Sequence, residues 1–382
     1  MTPRRVLVAC GTRPEFVKLA PVVAEMRSSG FEVRTVATGQ HYDQAMSDSF
    51  FDELGLVPDE RFDLEGDDAK RLGGLVEQAE RELAQGRPEL VVVLGDTNTV
   101  PAYGLAARRQ RVPVVHLEAG LRSFNETSME EVNRKVAAAV ARLQLAPTGL
   151  AERFLRAEGV PAERVRVVGN PVIDVLRRLG ATPRRREERT HILVTAHRAT
   201  NVDNPSRLER LVSLVERLAA ELGPVVFPLH PRTRARLREA SLEARLGAGR
   251  IELSDPVSYT TMLELLATSC LVVTDSGGLQ EEASYFGVPV LVLRTSTPRW
   301  EGVCLGTARL VGLDVEAAIR AAERFVEPAE LARVASVACP YGDGHTAERV
   351  TALLADDDVF RMLSIEEPAI GWLPPGLQSP PG

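Results

Sequence analysis

The chain has 382 residues, longer than a typical single domain, and its length points to two domains of comparable size. With 44% hydrophobic and 26% charged residues it is not a disordered chain, and a formal charge of −7 argues against nucleic acid or an anionic membrane as partner. The N-terminal MTPRRVLVACGTRPE enters an apolar run too short for a signal peptide or a membrane span, so a cytoplasmic protein acting on a small molecule is expected.

Short apolar runs, each followed by a glycine or polar turn and then a helical pattern, recur at residues 6–9, 33–37, 90–94, 114–117 and 143–146. The rhythm resumes at 192–195, 225–229, 251–253, 271–274 and 290–293. Strand alternating with helix predicts parallel sheets covered on both faces, and the run VVVL from Val91 suits a strand buried on both sides. Between Asp174 and Thr190 the pattern gives way to a charged, proline-containing stretch, read as the connector between halves. The expected class is α/β, with two Rossmann-like doubly wound domains whose strand C-termini face a shared interdomain cleft. The N-terminal domain takes residues 1–174 and a returning helix at about 346–364, and the nucleotide-binding domain takes 175–345. The proline- and glycine-rich tail, 365–382, is expected to be poorly ordered.

Chemistry should gather at the strand ends. After the first strand, Gly11 opens a turn, Pro14 fixes the helix start, and Arg13 and Lys18 place cations where an anion would be bound; plain solvent exposure is the alternative. Asp96 and Glu118 end two adjacent strands, and Glu130 and Glu131 follow beside Arg134. Carboxylates at neighbouring strand ends suit proton transfer, although each could instead cap a helix or pair with Arg134. His197 and Arg198 end a strand of the second half, where a histidine can donate to a phosphate; His230 reads equally as a loop residue. In TDSGGLQEEASYFGVPV, Asp275 and Ser276 can cap a helix, while Gly277 and Gly278 let main-chain N–H groups approach an anion at its positive end. Glu281 and Glu282, one turn on, could accept hydrogen bonds from ribose hydroxyls, so a nucleoside diphosphate is the expected ligand class; an ordinary strand-to-helix turn with acids favoured by the helix dipole is the alternative.

Cys10, Cys270, Cys304 and Cys339 lie far apart and read as reduced, mostly structural thiols. The six histidines show no metal-ligand spacing, and the GxGxxG fingerprint is absent, so neither a metal nor a nicotinamide cofactor is expected.

Taken in order, GTRPEFVKLAPVV, TGQHYDQAMSDSFF, GDTNT, HLEAGLRSF, EEVNR, GNPVIDVL, TAHRATNVDN, DSGGLQEEA and PYGDG resemble the non-hydrolysing UDP-N-acetylglucosamine 2-epimerases over nearly the whole chain. The resemblance implies a glycosyltransferase-B type fold, a homodimer, no cofactor, and interconversion of UDP-GlcNAc with UDP-ManNAc. It implies loss of the C2 proton with elimination of UDP, then re-addition with protonation on the other face. Carried over by motif, Asp96, Glu118 and Glu130 are the acid and base groups. Arg13, Lys18, His197, Ser276 and Gly277, with Gly278 in the same turn, hold the diphosphate, and Glu282 holds the ribose. The chain departs from the family pattern at Thr200, Pro298 and Trp300, at Met129, and at Arg71 in a loosely aligned segment. A glycosyltransferase or hydrolase on the same scaffold, and a non-catalytic nucleotide-sugar-binding regulator, are the rival readings.

Overall fold

The computed structural model describes residues 3–39, 56–62, 68–247 and 249–367. Most of the TGQHYDQAMSDSFF motif and the tail from 368 onward lie outside the described residues. Residues 365–367 carry no regular structure.

Two separate parallel sheets form the framework. The first contains β1 (Arg5–Cys10), β2 (Glu32–Ala37), β3 (Glu60–Arg61), β4 (Leu90–Leu94), β5 (Val114–Leu117), β6 (Leu143–Ala146) and β7 (Val165–Val167), in the order β3-β2-β1-β4-β5-β6-β7. The second contains β8 (His191–Thr195), β9 (Val225–Pro228), β10 (Ile251–Ser254), β11 (Ser269–Thr274), β12 (Val290–Val292) and β13 (Ala308–Leu310), in the order β10-β9-β8-β11-β12-β13. Both sheets are doubly wound, reversing direction between β1 and β4 and between β8 and β11. Crevices open beyond the strand C-termini at such reversals.

The central strands are apolar because both faces are covered. Every residue of β4 is buried, with Val92 and Leu94 packed on one face and Val91 and Val93 on the other. Helix Arg13–Ser28 covers the first face through Phe16, Leu19, Val22 and Met26, and helix Thr346–Ala355 returns to the same face with Ala347, Val350 and Leu354. Each of the Phe, Leu, Val and Met side chains contributes roughly 1.5–3 kcal/mol by leaving water. In the second sheet, helix Pro205–Glu221 covers one face, and helices Tyr259–Ala267 and Gly277–Phe286 cover the other.

The structure adds three strands that the sequence reading passes over: β3, β7 and β13. They are two or three residues long and lie at sheet edges, where Arg61, Val167 and Arg309 face solvent and no apolar run is required.

The connector needs correction at its start. Residues from Asp174 as far as Arg178 belong to helix Pro171–Arg178, begun by the Asn170 side chain, which accepts from Val172 N–H at 3.1 Å. Val172, Ile173 and Leu176 enter the core of the second sheet. Asp174 is buried and accepts from the N–H groups of Thr346 at 3.1 Å and Ala347 at 2.8 Å, tying down the returning helix. Arg177 and Arg178, which made the segment look like a solvated loop, occupy the last turn, where the helix dipole favours cations. The returning segment is likewise not one helix. Asp356 caps a second one, Asp357–Met362, by accepting from Asp358 and Val359 N–H.

Candidate active site

Helix Arg13–Ser28 starts where β1 ends, and the loops after β4 and β5 stand beside it. The turn after β11 approaches from the second sheet. Together they enclose a cavity of about 450 Å³ lined by Arg13, Lys18, Asp96, Glu118, Ser276 and Glu282, with Glu15, Gly95, Tyr259, Gly278 and Arg299 among its other walls. A depression of about 540 Å³ beside β13 is larger but contains none of these strand-end carboxylates, so the chemistry is placed in the cavity between the sheets.

Glu118 is the most constrained of the acids. Its backbone is left-handed, with φ +60°, which costs a residue bearing a Cβ roughly 1–2 kcal/mol. The carboxylate accepts from Lys18 Nζ and from Asn170 Nδ2, the latter at 2.8 Å. Lys18 also donates to Glu281 at 2.7 Å, and Arg299 donates through Nε to the other oxygen of Glu281 at 2.9 Å. Two carboxylates and two cations thus form a buried network joining the first sheet's elements to those of the second. Burial alone would raise the Glu118 pKa, but Lys18, Arg299 and the Asn170 hydrogen bond outweigh it and hold it down at about 2. The same partners raise the Lys18 pKa against the effect of burial.

Asp96 sits at the end of β4 with Gly95 before it in a left-handed turn. It pairs with Arg134, whose other arm holds Glu131, so Glu131 is the structural partner of that arginine. Glu131 also accepts from Ser123 N–H at 2.8 Å and its hydroxyl at 2.9 Å, fixing the loop after β5. Glu130 is placed differently. It stands outside the cavity lining, its side chain 45% exposed, bonded to the Ser128 hydroxyl and 4.0 Å from Arg198 of the second sheet.

On the facing side, Ser276 is the N-cap of helix Gly277–Phe286, and its hydroxyl accepts from Leu279 N–H at 3.4 Å. Ser276 and Gly278 line the cavity; Gly277 does not, and a Cβ there would meet the Arg299 guanidinium at 3.0 Å. Asp275 does not cap this helix. It accepts instead from the N–H groups of His197 and Arg198 and from Asn201 Nδ2 at 2.9 Å, holding the loop after β8 in place.

His197 Nδ1 lies 3.3 Å from Asp275, and its ring is 5.5 Å from that of His230. Burial lowers its pKa, only partly offset by Asp275, so the ring is neutral and Nε2 carries a lone pair when Nδ1–H faces Asp275. Donation to a phosphate therefore requires protonation, which an arriving dianion favours. His230 is the cap of helix Pro231–Glu239, accepting from Arg232 N–H at 3.2 Å.

Glu282 lines the cavity and accepts from the Tyr259 hydroxyl at 2.8 Å; burial raises its pKa to about 7. Glu281, also considered for ribose, is committed to Lys18 and Arg299. The sequence reading missed Glu15, Asn170, Tyr259, Glu281 as an ion-pair member, and Arg299. For Glu15 a signal existed, since Thr12-Arg13-Pro14-Glu15 has the spacing of a helix-start box in which the acid reaches back to main-chain N–H groups.

Among the described residues, no group of three or more His, Cys, Asp or Glu could hold a metal ion.

A family model described as UDP-N-acetylglucosamine 2-epimerase matches residues 24–355. The chain belongs to this family. It is 35% identical over 363 residues to the UDP-N-acetylglucosamine 2-epimerase of Methanocaldococcus jannaschii, covering 91% of this chain and 98% of the relative. It is 34% identical over 365 residues to the UDP-2,3-diacetamido-2,3-dideoxy-D-glucuronate 2-epimerase of Pseudomonas aeruginosa, covering 92% and 99%. The crystal structure of the M. jannaschii epimerase with UDP-GlcNAc and UDP superposes with a TM-score of 0.82 at 34% identity, over 92% of this chain and 99% of that one. The two Rossmann-like units are thus those of an epimerase fold.

Proposed function

We propose that the protein epimerises C2 of a UDP-N-acetylhexosamine, interconverting UDP-GlcNAc and UDP-ManNAc. The observation that carries this reading is the convergence of strand-end carboxylates from one sheet with a capped helix N-terminus from the other on a single cavity. A weakly acidic C2–H needs a placed carboxylate, and a departing diphosphate needs cations and main-chain donors.

In this reading Asp96, Glu118 and Glu130 supply and take up protons, while Arg13, Lys18, His197, Ser276, Gly277 and Gly278 hold the diphosphate and Glu282 the ribose. One carboxylate removes the C2 proton as the C1–O bond to UDP breaks, leaving a 2-acetamidoglucal. UDP then re-adds while a second carboxylate protonates C2 from the opposite face. Glu118 in its resting state is too strongly held by Lys18 to be a good base. A diphosphate that draws Lys18 towards itself would release Glu118 and raise its basicity, coupling substrate arrival to activation. The M. jannaschii relative with bound UDP-GlcNAc and UDP supports the ligand class.

The P. aeruginosa relative keeps open a second reading of the sugar, an acidic hexose. Arg294, near Arg198, Arg299 and Arg134, has a buried Nη1 with no hydrogen-bond partner among the described residues, and burial with those cations lowers its pKa to about 10. Arg294 stands outside the cavity lining, and an acidic sugar that extended to it would offset that charge.

The division into residues 1–174 with the returning segment and residues 175–345, the homodimer and a cytoplasmic location belong to the same proposal. Among the described residues no helix is long and apolar enough to cross a membrane. Changing Asp96, Glu118 and Glu130 together to amides tests the assignment: conversion of UDP-GlcNAc, followed by anion-exchange chromatography, should disappear. Full retention would contradict it, and free UDP accumulating in step with sugar product would favour a hydrolase or transferase.

A further inference from the structure

Glu15 lies in the cavity wall, 5% exposed, one turn before Lys18 on the same helix. Its Oε2 accepts from the N–H groups of Gly11 at 2.5 Å and Thr12 at 3.2 Å. Its Oε1 takes no donor except the Thr97 hydroxyl beside the carboxyl, which itself has no other partner among the described residues. This oxygen lies beside Gly95. A Cβ on Gly95 would stand 3.6 Å from Glu15 Oε1 and 3.7 Å from Glu118 Oε2, so both oxygens border the space that the missing side chain leaves.

The groups around Glu15 are Cys10 on β1, Asp96 and Thr97 after β4, Glu118 after β5, and Lys18 on its own helix. Lys18 is already engaged by Glu118 and Glu281. Burial, with Asp96 adding to it, raises the Glu15 pKa to about 8 against the Gly11, Thr97 and Thr12 contacts, so the group is a neutral acid at pH 7. Two N–H donors occupy Oε2, which leaves the proton on Oε1, on the side of Gly95 and Thr97.

We propose that Glu15 is a positioning residue that relays a proton between Asp96 and Glu118 and so resets them between turnovers. The inference rests on the epimerase reading of those two carboxylates. When one of them has taken the C2 proton and the other has given its own to C2, the pair is left in the wrong state for the next turnover. Glu15 gives its Oε1 proton to the ionised carboxylate and receives one from the protonated carboxylate. It ends as it began, and no proton is gained or lost. Gly95 keeps the path clear, and the Oε2 bonds keep the acid from turning away.

Glu15→Gln tests this, because the amide oxygen can still accept from Gly11 and Thr12 while the side chain can no longer pass a proton. Deuterium entry at C2 of UDP-GlcNAc in D2O is followed for wild type and variant on both sides of the Glu15 pKa of about 8. We expect multiple-turnover exchange to fall roughly 10²-fold and the first turnover to stay near wild type. The alkaline limb near pH 8 should vanish. In protein carrying ¹³C at glutamate carboxyls, a resonance titrating near 8 should be lost in Glu15→Gln and kept in Glu282→Gln, which removes the one titrating near 7.

A wild type that exchanges C2, with Glu15→Gln unchanged in rate and pH profile, overturns the relay alone and leaves Glu15 a helix cap. A wild type without exchange overturns the epimerase reading and the relay with it. Should the variant fail to fold, the wild-type spectrum decides: no glutamate titrating near 8 overturns the proposal.

Discussion

The two sheets share one strand order, apart from the extra edge strand β7 of the first, yet their switch points carry opposite chemistry. The crevice between β1 and β4 is lined by the carboxyl groups of Glu15, Asp96 and Glu118, and burial and partners push the pKa of Glu15 up and that of Glu118 down. The crevice between β8 and β11 offers a capped helix N-terminus and a neutral histidine, with the buried Asp275 spent on holding main-chain N–H groups and Glu282 one turn into the helix. In the proposed reading, the same topology presents a proton-handling wall and an anion-holding wall to each other. Geometry supplies the meeting place, and the residues at the strand ends decide the chemistry.

The sharpest way to separate the two walls is Glu118→Gln. C2 exchange should fall by about 10²–10⁴-fold while UDP still binds, which isothermal titration calorimetry would show. Parallel losses of exchange and of UDP binding would erase the distinction.

Gly120→Ala should damage the acid wall through the backbone. Gly120 has φ +84°, and a Cβ there would lie 2.3 Å from the Ala151 carbonyl oxygen, two residues from Glu118. A loss of about 3 kcal/mol or more is expected in denaturant unfolding.

The two buried glutamates should also respond to pH with opposite sign. Glu118 has a folded pKa lowered from 4.5 to about 2, so its contribution is complete above 4.5 and is lost as pH falls towards 2. Glu15 is raised from 4.5 to about 8, so the folded state binds more protons in that window and stability falls as pH rises through it. Glu15→Gln should therefore gain stability relative to wild type between pH 4.5 and 8, read from urea midpoints. A constant difference across the window would mean that Glu15 ionises normally.

On the anion wall, Ser276→Ala removes the cap of the helix facing the cavity and should cost about 1 kcal/mol of stability. UDP affinity should weaken, with exchange at saturating substrate little changed. The smallest effect concerns His197. Because its pKa is lowered in the empty site and donation requires the charged ring, UDP binding should take up a proton and weaken as pH rises. Calorimetry in buffers of different ionisation enthalpy would detect that proton.

Much of this arrangement was legible in the sequence. The buried central strands announce themselves as unbroken apolar runs, such as Leu90–Leu94, and the loops after them carry Asp96, Glu118, His197 and Ser276. The edge strands were not legible, because a two-residue strand such as Glu60–Arg61 buries too little to require an apolar pattern. Helix Pro171–Arg178 was hidden by its arginines, although Asn170-Pro171 is a helix-start pair. Within the site, residue types alone could not distinguish Glu281 from Glu282, one turned to Lys18 and Arg299 and the other to Tyr259 and the cavity. Nor could they show that Glu130 stands at the rim while Glu15 lies in the wall. Those differences arise from tertiary contacts, some of them between residues a hundred or more positions apart, such as Lys18 with Glu118 and Glu281.

Proton NMR of the protein with UDP-GlcNAc in D2O tests the central claim most directly, since it follows the C2 proton and free UDP together. Deuterium entering C2 as UDP-ManNAc forms, with little UDP released, is the predicted result. UDP-GlcNAc that keeps its C2 proton throughout would contradict it.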